Sequence, residues 1–252
     1  MKIQVLVAAM NQKDHSLLDK MNIQSDVIVG NQTDHNSIET FEYKGHTATY
    51  LNFAERGVGL NRNNALMRAT GDVCLFADDD MEYVDNYVQL VEKTFEEQPD
   101  ADVLIFNLIE PVPERYIIPK KKRVGYLNYL RYGTARVAVR MDAIRENGIF
   151  FNQCFGGGAK YCHGEDNLFL TACLKNKLKV YVIPEYIARL TEERESSWNK
   201  GYTDKYFIDQ GHLYRAISRR WWRLLCLQDA IRHKGMYKRK VGEMYLLMTK
   251  LK

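Results

Sequence analysis

Unbroken apolar runs of strand length, alternating with segments of helical spacing, set the rhythm of the first 110 residues. "IQVLVAA" (3–9) is continuous rather than alternating, the pattern of a parallel strand buried on both faces. "DVIVGNQTDHN" (26–36) reads as a second strand ending in turn chemistry, and the β-branched and aromatic "TATYLNF" (47–53) as a third. Leu60, Ala65, Leu66 and Ala69 predict a short helix stopping near Gly71. "DVCLFADDD" (72–80) is a fourth strand that runs straight into three aspartates. Val84, Tyr87, Val88, Val91 and Phe95 recur at helical spacing over 83–98, closed by Pro99, and "ADVLIFNLI" (101–109) is a fifth strand.

From 111 to 135 the pattern weakens, and "PKKKR" (119–123) reads as a solvated loop. "ARVAVR" (135–140) predicts another strand; residues 155–185 combine a glycine-rich loop, an acidic pair, a helix and a strand. The charged, serine-containing stretch 184–206 is expected to form a lid. Strands alternating with helices predict an α/β fold, a mainly parallel sheet flanked by helices. On a helical wheel over 216–240, Trp221, Leu224, Leu225 and Ile231 share a face with Arg219 and Arg223 opposite, while Trp222 and Leu227 blur the division.

Composition fits one globular domain with an appendage: 46% of the 252 residues are hydrophobic and 27% charged. No stretch approaches the roughly 18 apolar residues of a membrane span. The apolar N-terminal run is too short for a signal peptide. Five scattered cysteines predict reduced thiols and a cytoplasmic setting. Cys154, Cys162 and His163 would make half a zinc site, but no second pair completes it. Charge adds a division that hydropathy does not. Residues 211–252 hold eleven Lys/Arg against Asp229 and Glu243, so this segment carries +9 of a net +4 and residues 1–210 are mildly acidic. The expected organisation is a domain over 1–210, divided near 110, followed by a basic helical extension over 211–252. That extension either docks on the domain or meets an anionic membrane surface.

The chemistry is concentrated in two acidic clusters. Asp78, Asp79 and Asp80 sit at the carboxyl end of a strand, where open α/β sheets bind ligands. Strand alternation sends Asp78 and Asp80 to the same side. Hard carboxylate oxygens there suit Mg²⁺ or Mn²⁺ shared with phosphate oxygens. Glu165 and Asp166 precede the apolar helix "NLFLTACL" and either cap it or join the same site. The nucleotide-hydrolase phosphate loop is missing, since no Gly-Lys-Ser/Thr occurs, and "GVG" (57–59) lacks the third glycine of the dinucleotide fingerprint.

In order and spacing these pieces resemble a family 2 glycosyltransferase of GT-A fold, over about residues 1–195. "IQVLVAAMN" (3–11) fits the family's opening strand, with Asn11 in the matching place. "GVGLNRNNALMRATGDVCLFADDD" (57–80) matches its long central block, so Arg62, Asn63, Gly71 and Asp72 take motif positions and Asp78-x-Asp80 is the D-x-D. "GEDNLF" (164–169) is similar to the acceptor-side G-E-D motif. One departure is clear. The acidic pair that usually ends the second strand is replaced by Val29 and Gly30, which leaves Asp34 and the amide of Asn31 as the candidates for the nucleobase.

The resemblance implies an inverting enzyme. Asn11, Asn31, Asp34, Arg62, Asn63 and Asp78 to Asp80 would hold a nucleotide-diphosphate sugar, a UDP-sugar by preference. Asp78 and Asp80 would hold the metal, and Asp166 would act as general base, with Glu165 as second choice or as its orienter. The acceptor would be a glycan or a lipid-linked saccharide in surface polysaccharide synthesis, with no role for nucleic acid. Some relatives place a histidine as a further metal ligand after the last strand; Arg189 and Thr191 stand there, and His163 is the conceivable substitute. Two other readings compete. A sugar nucleotidyltransferase would carry a G-x-G-x-R loop after its first strand, and "AAMNQKD" has none. A catalytically inactive membrane-associated module would have a broken acidic site, and both clusters are intact.

Overall fold

The computed structural model describes residues 1–111, 115–191 and 201–250. The first part of the chain forms β1 (Ile3–Met10), α1 (Leu17–Lys20), β2 (Asp26–Gln32), β3 (Ser37–Tyr43), β4 (His46–Phe53), α2 (Val58–Arg68), β5 (Val73–Asp78), β6 (Met81–Tyr83), α3 (Tyr87–Glu97) and β7 (Val103–Ile109). There follow β8 (Lys122–Arg123), β9 (Val137–Arg140), α4 (Met141–Glu146), α5 (Glu165–Lys175) and β10 (Val180–Leu190). The chain closes with α6 (Asp204–Ile217), α7 (Trp222–Arg232), α8 (Lys234–Tyr237) and α9 (Val241–Thr249).

The apolar runs become strands because each serves two cores. In β1, Ile3, Val5, Val7 and Ala9 enter one cluster while Leu6 enters the other; in β5, Val73, Leu75 and Ala77 alternate with Cys74 and Phe76 in the same way. Side chains of α1 and α3 fill the first cluster, and those of α2, α4 and α5 the second. The result is a helix–sheet–helix sandwich. The sheet runs β3-β4-β2-β1-β5-β9-β7-β10-β6, with β8 paired to β10. β4, β2, β1 and β5 are mutually parallel, and β7 and β10 form a second parallel pair. This is the mainly parallel α/β sheet expected.

Four local features correct or go beyond the sequence reading. Ser37–Tyr43 forms an antiparallel hairpin strand with β4 that the mixed, half-exposed sequence "SIETFEY" did not announce. β9 runs antiparallel between β5 and β7. The segment 81–83 is a short strand on β10, so the following helix begins at Tyr87 rather than Tyr83. Lys122 and Arg123, expected in a loop, pair with Val182 and Tyr181. Of the expected lid, 184–190 is part of β10, 204–206 begins α6, and 192–200 lie outside the described residues.

The basic extension is continuous with the domain. The expected boundary at 210/211 falls inside α6, which packs with α7 and α9 around Phe207, Leu213, Cys226, Ala230, Met244 and Met248. Gly211 makes the α6–α9 approach workable: a Cβ there would run into the backbone carbonyl of Met248. Gly211→Ala is therefore expected to destabilise the protein by about 1–3 kcal/mol, read as a lowered urea midpoint. An unchanged midpoint would show that α9 does not seat on α6 in this way.

Candidate active site

Parallel pairing brings the carboxyl ends of β1, β2 and β5 to one edge of the sheet. Ala8 is in register with Gly30 on one side and Asp78 on the other. Asp78 ends β5, and the next two aspartates lead into β6. The backbone of this loop is held from β10, because Thr191 donates both its N–H (2.9 Å) and its hydroxyl (3.0 Å) to the carbonyl of Asp80.

The two acidic clusters meet at Arg62. This α2 side chain is only 4% exposed and bonds Asp78 Oδ1 at 2.8 Å, Glu165 Oε1 at 3.1 Å and Asp166 Oδ1 at 3.1 Å. Burial alone would weaken its hold on the proton, but the three carboxylates outweigh it and keep the guanidinium charged. Thr134, in the turn before β9, also donates its hydroxyl to Asp166. Gly156, at φ 101, passes so close to Glu165 that a Cβ would lie 2.7 Å from its carboxylate. Glu165 is thus pressed into the protein, while Asp166 stays 30% exposed. Both line a cavity of about 410 Å³ with Gly133, His163, Gly164 and Tyr206.

One cation cannot neutralise three carboxylates, so the most buried of them keeps its proton longest. Burial, then the neighbouring Asp166, push Glu165 from an ordinary 4.5 up to about 7, against the pull of Arg62. The folded state then binds a proton that the unfolded chain has released. The stabilisation from protonated Glu165 is complete below 4.5 and lost as pH rises through 7. Denaturant midpoints across this window should fall with pH for the wild type and flatten for Glu165→Gln. An equally steep fall in the variant would place the titration elsewhere.

Among the described residues, no three His, Cys, Asp or Glu side chains gather into a cage that could hold a metal. The donor set fits the other common arrangement, in which one or two carboxylates are completed by phosphate oxygens. Asp80 suits it. Burial, followed by repulsion from Asp78 and Asp79, raises its pKa, a cost that a cation would relieve. Asp78, expected as its partner ligand, has Oδ1 committed to Arg62.

The sequence profile of glycosyl transferase family 2 matches residues 15–151, more than half of the chain and including Arg62 and all three aspartates. The chain belongs to glycosyl transferase family 2. Among solved structures, residues 1–349 of S. aureus TarS in complex with UDP-GlcNAc superpose with a TM-score of 0.65 at 14% identity, covering 98% of this chain and 90% of that one. The same fragment with UDP gives 0.63 at 16% identity and the same coverage. S. aureus TarS gives 0.64 at 16% identity, with 98% of this chain covering 55% of that one. At these identities the likeness shows the fold. No curated protein matches the sequence. The profile ends before Glu165 and Asp166, so that pair rests on its motif and on the geometry above.

For a family 2 glycosyltransferase the other expected site residues are unevenly placed. Asn11 is exposed at the end of β1 with φ 56, a left-handed conformation that asparagine tolerates. Asp34 is exposed and bonded to His35 at 3.0 Å. Asp79 accepts from Gln12 Nε2 at 3.1 Å, a residue that sequence reasoning passed over. Two asparagines differ from expectation. Asn31 is buried, its amide committed to Gln12 and Asn52 at 2.8–3.0 Å, and so it braces the β1 loop. Asn63 is buried and bonds both the N–H and the C=O of Phe151. His163 stacks on Tyr206 and bonds Gln210 Oε1 at 2.6 Å, which makes it part of the packing around the cavity. Gly30 has a local reason: a Cβ there would lie 2.6–2.9 Å from the side chain of Asn61.

Proposed function

We propose that this glycosyltransferase moves a sugar, with inversion, from a nucleotide-diphosphate donor to a hydroxyl of a glycan or lipid-linked saccharide in surface polysaccharide synthesis. The observation that carries the reading is the convergence of Asp78, Glu165 and Asp166 on Arg62. It joins the donor end of the sheet to the acceptor cavity. TarS, of like fold, has been crystallised with UDP and UDP-GlcNAc, which favours a UDP-sugar here.

In this reading the donor's diphosphate lies beyond β5, against Asp80. Mn²⁺ or Mg²⁺ bound there would neutralise charge developing on the leaving group. Asp166 faces the cavity where the acceptor enters and takes the proton of the attacking hydroxyl. Thr134 and Arg62 hold its carboxylate in place. Glu165, behind it, is an orienter rather than the base. The cysteines, free throughout, fit a cytoplasmic enzyme, and the positive charge of the basic extension suits an anionic membrane surface carrying a lipid-linked acceptor.

A panel of nucleotide sugars with Mn²⁺ tests the reading. The correct donor should raise the melting temperature by mass action and release nucleotide when acceptor is added. Stabilisation by a nucleoside triphosphate, with pyrophosphate release from a sugar phosphate, would instead make this a nucleotidyltransferase. Asp80→Ala should abolish turnover and remove the Mn²⁺-dependent increment in UDP affinity while the metal-free affinity persists. A variant that keeps the full increment excludes Asp80 as the ligand.

A further inference from the structure

A second cavity, of about 810 Å³, lies apart from the acidic site and is lined by Arg215, Arg219 and Arg223 with Tyr161, His212 and Trp222. Arg215 is near the end of α6, Arg219 lies in the following turn and Arg223 is in the first turn of α7, so a four-residue spacing delivers three guanidiniums to one space. Among the described residues none of the three is paired with a carboxylate. The acids of this part of the chain are committed elsewhere: Asp204 and Glu243 to Arg239, Asp209 to Lys205, and Asp229 to His233. Three unpaired arginines beside aromatic rings suit a phosphate group, which guanidinium binds in bidentate fashion.

The outer face of α7 continues this surface. Trp221, Leu224, Leu227 and Ile231 are 54%, 57%, 38% and 60% exposed. Their spacing of three, three and four residues lines them up, while Cys226, Asp229 and Ala230 turn into the core. Arg223 belongs to both features, since it lines the cavity and lies one turn before Leu227. Arg220 rests on the Trp221 ring at 5.0 Å, which leaves arginine and tryptophan side by side at the surface. The stripe sets exposed apolar side chains and unpaired arginines side by side. An anionic lipid surface matches both halves, with its acyl boundary for the stripe and its phosphates for the guanidiniums. The placement also suits the acceptor. The loop whose Tyr161 walls the arginine cavity continues directly into His163, Gly164 and Asp166 of the catalytic cavity.

We propose that the Arg215–Arg219–Arg223 cavity takes the phosphate of anionic lipid headgroups, with Trp221, Leu224, Leu227 and Ile231 seated at headgroup depth. The inference specifies the membrane contact in the reading above and does not depend on its transferase chemistry. Co-sedimentation of the full chain with vesicles tests it. The protein should pellet with phosphatidylglycerol-containing vesicles, stay in solution with pure phosphatidylcholine, and be released by high salt. Arg219→Ala/Arg223→Ala should bind about 25-fold more weakly, at about fivefold per basic residue. Trp221→Ser/Leu224→Ser should lose about tenfold or more. Both variants should keep wild-type melting temperature and donor-induced stabilisation, which separates a failed membrane contact from a failed transferase reading. Equal pelleting on neutral vesicles, no pelleting on anionic ones, or variants that bind like wild type would each overturn the proposal. So would displacement by millimolar inorganic phosphate at constant ionic strength, which would assign the cavity to a free phosphorylated ligand.

Discussion

Asp166→Asn should lower kcat by about 100-fold or more while the affinity for the nucleotide-sugar donor stays close to wild type. The substitution keeps the size of the side chain and an oxygen for Arg62 and Thr134 to bond, but removes the ability to accept a proton. Because Asp166 lines the cavity beyond the D-x-D loop, the loss should fall on the chemical step. Glu165→Gln is the control. Glu165 lines the same cavity but is pressed against Gly156 and less exposed than Asp166, so its variant should retain more activity than Asp166→Asn. A Glu165→Gln lesion worse than Asp166→Asn would exchange the two roles, and equal losses of donor binding in both would make the pair structural.

What could be read from the sequence followed from local rules. Strands buried on both faces betray themselves as unbroken apolar runs, so β1, β5 and β7 and their parallel arrangement were legible. The D-x-D cluster was legible because it interrupts such a run at the end where ligands bind. What escaped depends on long-range pairing. β9 looks like any other strand, and nothing local says that it runs antiparallel between β5 and β7. Arg62 was assigned to the donor because it lies in the donor motif, whereas two of its partners are 103 and 104 residues away. Asn31 and Asn63 carry side chains that look like ligand donors, and only burial reveals that they brace backbone. The α7 face was misjudged for a related reason. The wheel weighed Arg219 and Arg223 and left out Asp229, which is polar yet buried, accepting from Tyr237 and bonded to His233 at 2.6 Å. With that polar residue inside, Leu225 turns inward, Leu227 joins the exposed stripe, and Arg219 and Arg223 line a cavity beside it rather than an opposite face.

Arg62→Met should be the most damaging change to stability, with a loss of about 3–5 kcal/mol at neutral pH, the range for removing one partner of a buried charge network. Methionine fills much of the volume but leaves Asp78, Glu165 and Asp166 facing one another without their shared cation. Arg62→Lys should recover only part of the loss, since a single ammonium cannot span three carboxylates as the planar fork does. The pH dependence carries the diagnosis. Arg62 holds the Glu165 pKa below where burial and Asp166 alone would set it. Without it the cluster prefers its protonated form, so the defect should shrink as the solution is acidified. Denaturant midpoints for wild type and variant, taken from neutral to acidic pH, should therefore converge. A constant gap would mean that Arg62→Met acts through lost packing on Phe151, whose ring lies 5.4 Å from the guanidinium. A variant of wild-type stability that loses only donor affinity would return Arg62 to the role its motif position implies, a direct contact to the nucleotide, and would dissolve the link between the two acidic clusters.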